Sequence, residues 1–260
     1  MSDPLDFGGR AVLITGGSRG IGRGIAEAFL AAGADVAVCG RKEPEELPSA
    51  GGKTALFAGA DVREAAQVEK MVDDVVARLG RLDVLVNNAG GAPFAEAATA
   101  SPRFSEKVIQ LNLTAALHCA QQANRIMQGQ GSGGSIINIA SVSGVRPSPG
   151  TAAYGAAKAG LVNLTGTLAI EWAPKVRVNA ISAGLIRTEQ AHLHYGDDQG
   201  IAAVADTVPL KRLGTPQDVA GACLFFASPL SSYVSGANLV LHGGGETPAF
   251  LSAASVNRGD

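Results

Sequence analysis

Near the start of the chain, the apolar residues 11–14 are followed by Thr15-Gly16-Gly17-Ser18-Arg19-Gly20-Ile21-Gly22 and then by a segment of helical period. Glycines at this spacing allow a sharp turn, close approach of backbone N–H groups to a phosphate, and tight packing of helix on strand. A glycine loop alone is a weak signal, because tight turns need glycine for steric reasons. Between a strand and a helix N-terminus, it predicts a dinucleotide-binding loop. The expected contacts are Gly16, Ser18, Arg19, Gly20, Ile21 and Gly22.

Short runs rich in Val and Ile alternate with longer segments of helical period along the rest of the chain. The predicted strands are Ala11–Thr15, Asp35–Cys39, Thr54–Ala58, Val84–Asn87, Ser135–Ala140, Val176–Ile181 and Asn238–Leu241. The predicted helices lie near Ile21–Ala32, Ala65–Leu79, Ser105–Met127, Ala153–Trp172 and Pro216–Ala227. Strands this apolar, separated by helices, indicate a parallel sheet covered on both faces. We therefore predict an α/β fold with one doubly wound Rossmann-type domain, residues 1–260, around a central seven-stranded parallel sheet.

The overall composition argues against several classes of protein. The formal net charge is -2 over 260 residues, without a block of like charge, which gives nucleic-acid binding little support. Cys39, Cys119 and Cys223 lie far apart and predict free thiols, with neither a disulfide framework nor a metal site. The first apolar run is too short for a secretory signal, and no segment has the length of a membrane span. We expect a cytoplasmic protein that binds neither nucleic acid nor a membrane.

Two segments depart from the alternation of strands and helices. Residues 188–212 contain no clear strand and follow a glycine-containing turn at a strand end. We interpret them as a substrate lid, with a plain pair of surface helices as the alternative. Residues 246–260 form a C-terminal tail that is either frayed or packed on a neighbouring subunit.

The residue just past the second strand contacts the adenosine ribose in this fold. An acidic side chain there accepts from the 2′-hydroxyl of NAD and repels a 2′-phosphate. Here the strand is followed by Gly40-Arg41-Lys42, with no acid until Glu43. Arg41 and Arg19 can grip a phosphate dianion from two sides, which favours NADP(H). Since both arginines can also be solvated surface residues, NAD(H) stays possible.

Tyr154 and Lys158 lie four residues apart, on one face of a predicted helix. Reducing a ketone needs a proton donor beside the developing alkoxide, and oxidising an alcohol needs the reverse. Tyrosine has a reference pKa of about 10, too high for an effective base near neutral pH. We expect the Lys158 ammonium and the positively charged nicotinamide to favour the phenolate, and lowering the pKa of Tyr154 by about three units takes roughly 4 kcal/mol of differential interaction.

The glycine spacing and the Tyr-x3-Lys pair resemble the classical short-chain dehydrogenase/reductase (SDR) family. Ser141, thirteen residues before Tyr154, matches the family's serine, whose hydroxyl holds the substrate oxygen. Ser143 is a nearby alternative, but Ser141 directly follows the apolar strand. Asn112 matches the family's helix asparagine, which helps tie the lysine to a water chain. The resemblance thus implies Asn112, Ser141, Tyr154 and Lys158 as catalytic residues, with Tyr154 and Lys158 also contacting the cofactor.

The resemblance implies further cofactor contacts at three strand ends. They are Asp61 and Val62 after strand three, Asn88, Ala89 and Gly90 after strand four, and Gly184, Ile186 and Thr188 after strand six. Asp61 is alternatively the cap of the next helix. The family usually has proline before the glycine after strand six, and here Ala183 takes its place. We expect this change to loosen the backbone there.

The resemblance covers about residues 8–245 and implies an NADP(H)-dependent oxidoreductase acting on a ketone or secondary alcohol. Val142, Val145, Leu185 and the lid are expected pocket walls, which favours a hydrophobic substrate such as a 3-oxoacyl thioester or a steroid-type ring ketone. The alternatives are an NAD-dependent alcohol dehydrogenase of the same fold and a non-catalytic nucleotide-binding regulator or scaffold. In this family, the helix carrying Tyr154 and the last strand typically form subunit interfaces, which implies a homotetramer or a homodimer.

Overall fold

The computed structural model describes residues 3–254, and its central element is a seven-stranded sheet with strand order 3-2-1-4-5-6-7. The strands are β1 (Ala11–Thr15), β2 (Asp35–Gly40), β3 (Leu56–Gly59), β4 (Val84–Asn87), β5 (Gly134–Ser141), β6 (Val176–Ala183) and β7 (Asn238–Leu241). Neighbouring strands pair in parallel throughout this sheet. The predicted doubly wound α/β fold is therefore confirmed. The strand order reverses between β1 and β4, which locates the ligand crevice at their carboxyl ends.

Helices cover both faces of the sheet. They are α1 (Gly20–Ala31), α2 (Ala65–Leu79), α3 (Pro102–Ile109), α4 (Ala115–Gly129), α5 (Ala152–Glu171), α6 (His192–Tyr195), α7 (Asp198–Thr207), α8 (Pro216–Ala227) and α9 (Ala249–Ala253). Alternate residues of β1 point to opposite faces, so Val12 and Ile14 pack with α1 and α8, whereas Leu13 packs with α2 and α4. Among the residues described, no helix has the length and apolar character needed to cross a membrane.

Two predicted elements have different bounds in the structure. The third strand begins at Leu56, because Lys53–Thr54 instead pairs with Ser49–Ala50 in a small antiparallel hairpin. The helix predicted near residues 105–127 begins at Pro102 and is interrupted by a π-helical turn, Gln110–Thr114. Such turns insert one residue into a helix and are frequent at functional sites.

Within the described range, Cys39, Cys119 and Cys223 are buried, free thiols, as the spacing predicted. Burial raises the pKa of Cys39 to about 12 and raises the pKa of each of the other two as well. A thiol that stays protonated in an apolar environment is a small hydrophobic side chain, not a nucleophile. We therefore assign all three cysteines to the core.

Candidate active site

The glycine loop, residues 15–22, lies at the reversal point of the sheet. Gly16 and Gly20 have φ angles of 64° and 53°, a region that other L-residues rarely adopt. A Cβ atom on Gly22 would overlap the carbonyl oxygen of Gly16, and one on Gly17 would lie 2.6 Å from Val38 Cγ1. The loop therefore folds against β2 and α1 and leaves a cradle of backbone N–H groups, which suits a phosphate.

The loop after β4 is hydrogen-bonded to the glycine loop. Thr15 Oγ1 accepts from the backbone N–H groups of Asn88 and Ala89, each at 3.0 Å. The Asn88 amide donates to the carbonyl oxygens of Thr15 and Gly16 at 3.0 and 3.1 Å. The predicted contacts Asn88 and Ala89 thus lie beside the glycine loop. Thr15 was missed as a site residue, although a threonine ending a buried strand just before the loop was the signal.

Ser141, Tyr154 and Lys158 are brought together at the carboxyl end of β5. The Lys158 Nζ atom lies 5.6 Å from the centroid of the Tyr154 ring, one turn away on α5. The Ser141 side chain lies near the Tyr154 hydroxyl and favours its phenolate. Ser141 Oγ also accepts from the backbone N–H of Ser143 at 3.1 Å. That contact occupies an acceptor position of Ser141, so its proton can point to Tyr154 or to a substrate oxygen.

Burial dominates the electrostatics of this cluster. Lys158 is 3% exposed, and its Nζ atom donates to the Ile139 carbonyl oxygen at 2.7 Å. Burial lowers the pKa of Lys158 from 10.5 to about 8. Burial raises the pKa of Tyr154, and the hydrogen bond with Ser141 opposes that rise. The expectation of a lowered phenol pKa is therefore wrong for this structure, because desolvation of the phenolate outweighs the favourable contacts.

Asn112 is buried in the π-helical turn and is bonded to the loop after β4. Its side-chain amide donates to the carbonyl oxygens of Gly91 and Val108, both at 2.9 Å, and its Oδ1 atom accepts from the Gly91 N–H at 2.8 Å. A Cβ atom on Gly90 would lie 2.6 Å from Asn112 Oδ1 and 3.2 Å from Lys158 Nζ. Asn112 therefore holds the backbone of Gly90 and Gly91 against Lys158.

The strand ends β2 and β3 carry three charged side chains. Asp61 Oδ1 accepts from Arg63 Nε at 2.9 Å, and Asp61 Oδ2 accepts from Arg63 Nη2 at 2.5 Å. The hydrogen bonds from Arg63, and to a smaller extent the charge of Arg41, lower the pKa of Asp61. Helix α2 has Glu64 at its N-cap, so the alternative role of Asp61 as that cap is wrong. Arg63 was missed, because its pairing with Asp61 depends on the turn between them.

Three other predicted cofactor contacts at this end differ in their exposure. Arg41 and Arg19 are exposed, on the segments after β2 and β1 respectively. Val62 is 7% exposed, and its side chain packs into the core with α2. Only the backbone of Val62 is therefore left to face a ligand.

The backbone after β6 is held on both sides. Ala183 is paired with Ser141 of β5 and Leu241 of β7, so the expected loosening is wrong. Gly184 donates its N–H to the Leu241 carbonyl at 2.8 Å. Ile186 forms an isolated bridge with Gly214. These contacts fix Gly184 and Ile186 at the same edge of the sheet as Ser141.

Thr188 and Glu189 extend from this edge to the glycine loop. A Cβ atom on Gly20 would lie 3.6 Å from Thr188 Cγ2. The backbone N–H of Gly20 donates to Glu189 Oε1 at 3.0 Å. Thr188 was predicted as a site residue and Glu189 was not, since an acidic side chain is unexpected where an anionic ligand would bind.

The lid segment, residues 188–212, contains α6 and α7 and is joined to the C-terminal segment. Leu210 donates its N–H to the Gly243 carbonyl at 3.2 Å, and Thr247 donates to Thr207 at 3.1 Å. Glu246 forms an ion pair with Arg146, in the loop after β5. Glu246 and Thr247 thus pack on the same chain. Residues 255–260 of the predicted tail lie outside the described residues.

Two cavities adjoin these elements. The first, of about 100 Å³, is lined by Ala92, Pro93, Ala95, Ala97, Ala100, Phe104, Ser105, Val108, Thr151, Ala152, Ala153 and Tyr154. The second, of about 200 Å³, lies under the lid segment and is lined by Leu185, Ile186, Val208, Leu210, Arg212, Gly214, Asp218, Leu241, His242 and Gly243. Leu185 therefore lines the second cavity and not the one beside Tyr154. Val142 and Val145, both within the described residues, line neither of these two cavities.

A glycine cradle at the reversal point of a doubly wound sheet, beside a buried Ser-Tyr-Lys cluster, defines a dinucleotide-dependent oxidoreductase. The family described as Enoyl-(Acyl carrier protein) reductase matches residues 16–246. The chain is 39% identical over 243 residues to a 3-oxoacyl-(acyl-carrier-protein) reductase of Chlamydia pneumoniae, covering 91% of this chain and 96% of that one. It is 34% identical over 242 residues to a 3alpha-hydroxysteroid dehydrogenase of Mediterraneibacter gnavus, covering 90% and 96%.

A solved structure gives the same result. The crystal structure of a short-chain type dehydrogenase/reductase from Mycobacterium marinum matches with a TM-score of 0.85 and 34% identity, covering 95% of this chain and 99% of that one. The chain therefore belongs to the short-chain dehydrogenase/reductase family, whose members are oxidoreductases that act on CH–OH or C=O groups with NAD(P)(H).

Proposed function

We propose that the chain transfers a hydride between NADP(H) and a ketone or secondary alcohol with a hydrophobic body. The observation that carries this proposal is the convergence of Ser141, Tyr154 and the buried Lys158 at the carboxyl end of β5. The residues of the glycine loop fit the cofactor, because the loop leads into the N-terminus of α1 and because the N–H of Gly20 already donates to a carboxylate. Gly16, Ser18, Arg19 and Ile21 would hold the rest of the diphosphate.

The nicotinamide supplies or accepts the hydride when the cofactor is bound. Tyr154 Oη donates the proton to the substrate oxygen during reduction and accepts it during oxidation. The Ser141 hydroxyl donates a hydrogen bond to that oxygen and stabilises the charge that develops on it. Lys158, protonated below a pKa of about 8, supplies a positive charge that favours the phenolate. Asn112 keeps Gly90 and Gly91 packed against Lys158 and so positions its amine.

The adenosine end supports NADP(H) over NAD(H). Arg41 follows β2 directly, at the position where an acid would bind the ribose of NAD. Asp61 is the nearby acid, and Arg63 neutralises it through two hydrogen bonds. The residual charge around the ribose is therefore positive, from Arg41 and Arg19.

Replacing Arg41 by alanine is expected to raise the KM for NADPH by about 10- to 100-fold, the value of one charged hydrogen bond to a phosphate. The KM for NADH should change little, because NADH lacks the 2′-phosphate. Lys42→Ala is the matched control, since it removes the same charge from the next residue. Steady-state kinetics with both cofactors measure the ratio. An equal effect on NADPH and NADH would contradict the assigned role of Arg41.

The substrate proposal is a 3-oxoacyl thioester or a steroid-type ring ketone. Of the residues described, those lining the cavity beside Tyr154 include no charged side chain, and half of them are alanines. Such a wall suits an aliphatic chain or ring and offers a sugar few partners, the hydroxyl groups of Ser105, Thr151 and Tyr154. The printed names of two relatives, a 3-oxoacyl-(acyl-carrier-protein) reductase and a 3alpha-hydroxysteroid dehydrogenase, support this range.

A panel of carbonyl compounds and alcohols tests the proposal. It contains an acetoacetyl thioester, a cyclic ketone, a steroid ketone and an aldohexose, and NADPH or NADP absorbance reports turnover. We expect higher kcat/KM for the thioester or the ring ketones than for the aldohexose. Preference for the aldohexose would contradict a hydrophobic substrate, and absence of turnover with every compound would favour the non-catalytic alternative.

We also propose a cytoplasmic homotetramer. Leu239 and Val240 are each 40% exposed on the edge strand β7, and Ile170 at the end of α5 is 83% exposed. Apolar side chains on a sheet edge favour coverage by a second copy. Three cysteines that stay free thiols are typical of a reducing compartment. Sedimentation velocity measures the oligomeric state. A homodimer would leave either the β7 edge or the α5 surface exposed to solvent.

A further inference from the structure

The start of the lid segment is bonded to the start of α1. Glu189 Oε1 accepts from the Gly20 N–H at 3.0 Å, although the two residues are 169 positions apart. Gly20 is the first residue of α1, a helix of 12 residues. Glu189 is itself held in a turn, because Gln190 donates its N–H to Thr188 Oγ1 at 3.3 Å and His192 Nδ1 contacts the Glu189 carbonyl at 3.2 Å.

The N-terminus of α1 favours contact with a negatively charged group. The N–H groups of a helix's first turn have no partner inside the helix and carry a partial positive charge. Within the described residues, Arg19 at the N-cap of α1 makes no side-chain cap, and no acidic residue lies in the first turn. The carboxylate of Glu189, in the lid segment, supplies that negative charge at the Gly20 N–H.

The pyrophosphate of a dinucleotide uses the same N–H groups in this fold. A carboxylate and a pyrophosphate are both anionic acceptors, so they cannot share the Gly20 N–H without mutual repulsion. Glu189 is exposed and can turn into solvent without the cost of an unpaired buried charge. Its contact with Gly20 can therefore be replaced by another anion.

We propose that the Glu189 carboxylate competes with the cofactor pyrophosphate for the Gly20 N–H and so acts as a latch that lowers cofactor affinity. The inference rests on the proposed function, because it requires a dinucleotide in the glycine loop. It makes Glu189 a determinant of cofactor affinity. The side chain acts through Gly20 and Thr188, at a distance from Tyr154.

Glu189→Gln and Glu189→Asp test the latch by ligand affinity. The first variant removes the charge, and the second keeps the charge but shortens the side chain by one methylene group. Dissociation constants are measured for NADPH by its fluorescence, and for 2′-phospho-ADP-ribose and 2′-AMP by competition. The first two ligands contain the pyrophosphate, whereas 2′-AMP reaches only the adenosine end.

Both variants are expected to bind NADPH and 2′-phospho-ADP-ribose about two- to fivefold more tightly than the wild type, the range for one charge at a helix N-terminus. Affinity for 2′-AMP should stay the same. Glu106→Gln, which removes an exposed charge on α3, is the matched control and should change none of the three.

Three outcomes would overturn the latch. One is unchanged or weaker binding of NADPH to Glu189→Gln. Another is equal tightening for 2′-AMP, which would show a general charge effect instead of competition. The third is wild-type behaviour of Glu189→Asp. If the wild type fails to bind NADPH at all, the proposed function itself is contradicted, and that result is distinct from these three.

Discussion

Replacing Tyr154 by phenylalanine is expected to lower kcat/KM for ketone reduction by about 10²- to 10⁴-fold, the usual contribution of one positioned general acid. The substitution removes only the Oη atom, which lies near Ser141, and keeps the ring that packs near Lys158. Affinity for NADPH should therefore stay close to that of the wild type. Turnover is measured by NADPH absorbance, and binding by NADPH fluorescence.

Tyr233→Phe is the matched control for this substitution. It removes the same atom from a tyrosine that is fully exposed, so turnover should be unaffected. Full activity in Tyr154→Phe would remove the central assignment of the proposed mechanism. An equal loss in Tyr233→Phe would attribute the effect to general damage.

Replacing Lys158 by methionine is expected to abolish most of the turnover and yet stabilise the fold at pH 7. The pKa of Lys158 falls from 10.5 to about 8 on folding, because the ammonium is buried. This lowered pKa means that keeping the amine charged costs the folded state about 3 kcal/mol. Losing the hydrogen bond to Ile139 lowers the stability of the variant by about 1 kcal/mol. The net expectation is a free energy of unfolding raised by about 2 kcal/mol.

The pH dependence gives this prediction a distinctive sign. Between pH 8 and 10.5 the unfolded wild type holds a proton that the folded chain has released, so wild-type stability rises with pH across that window. The methionine variant cannot titrate at this position and should lack that rise. Denaturant unfolding at pH 7 and near pH 10 measures both chains. A variant less stable than the wild type at pH 7 would show that the amine is a net support of the fold.

The elements next to the glycine loop were predictable because local physics specifies them. Gly16 and Gly20 adopt positive φ angles in a strand–loop–helix turn. Because glycine is the residue that adopts such angles most readily, the spacing of the glycines in the sequence already indicates this turn. The convergence of Ser141 with Tyr154 was predicted by resemblance together with the position of Ser141 at a strand end. The alternation of apolar runs and helical periods then fixed the parallel sheet.

The remaining site features depend on contacts between distant segments. Thr15 Oγ1 bonds to a loop 73 residues away, and Glu189 reaches Gly20 across most of the chain. The π-helical turn around Asn112 adds a single residue, which leaves the apolar spacing of the helix nearly unchanged. The direction of the Tyr154 pKa was mistaken because the sequence reveals a nearby charge and not the extent of burial.

Glu246 and Thr247 lie against the rest of the chain, where Thr247 donates to Thr207 and Glu246 pairs with Arg146. A purification handle fused downstream of these two residues would be tethered next to the proposed lid segment. By contrast, the Phe7 N–H donates to the Ala32 carbonyl oxygen just after the end of α1, at the amino ends of the strands. A purification handle is therefore better placed at the amino-terminal side. In a substrate screen with a carboxyl-terminal fusion, the measured activity would reflect the fused segment as well as the enzyme.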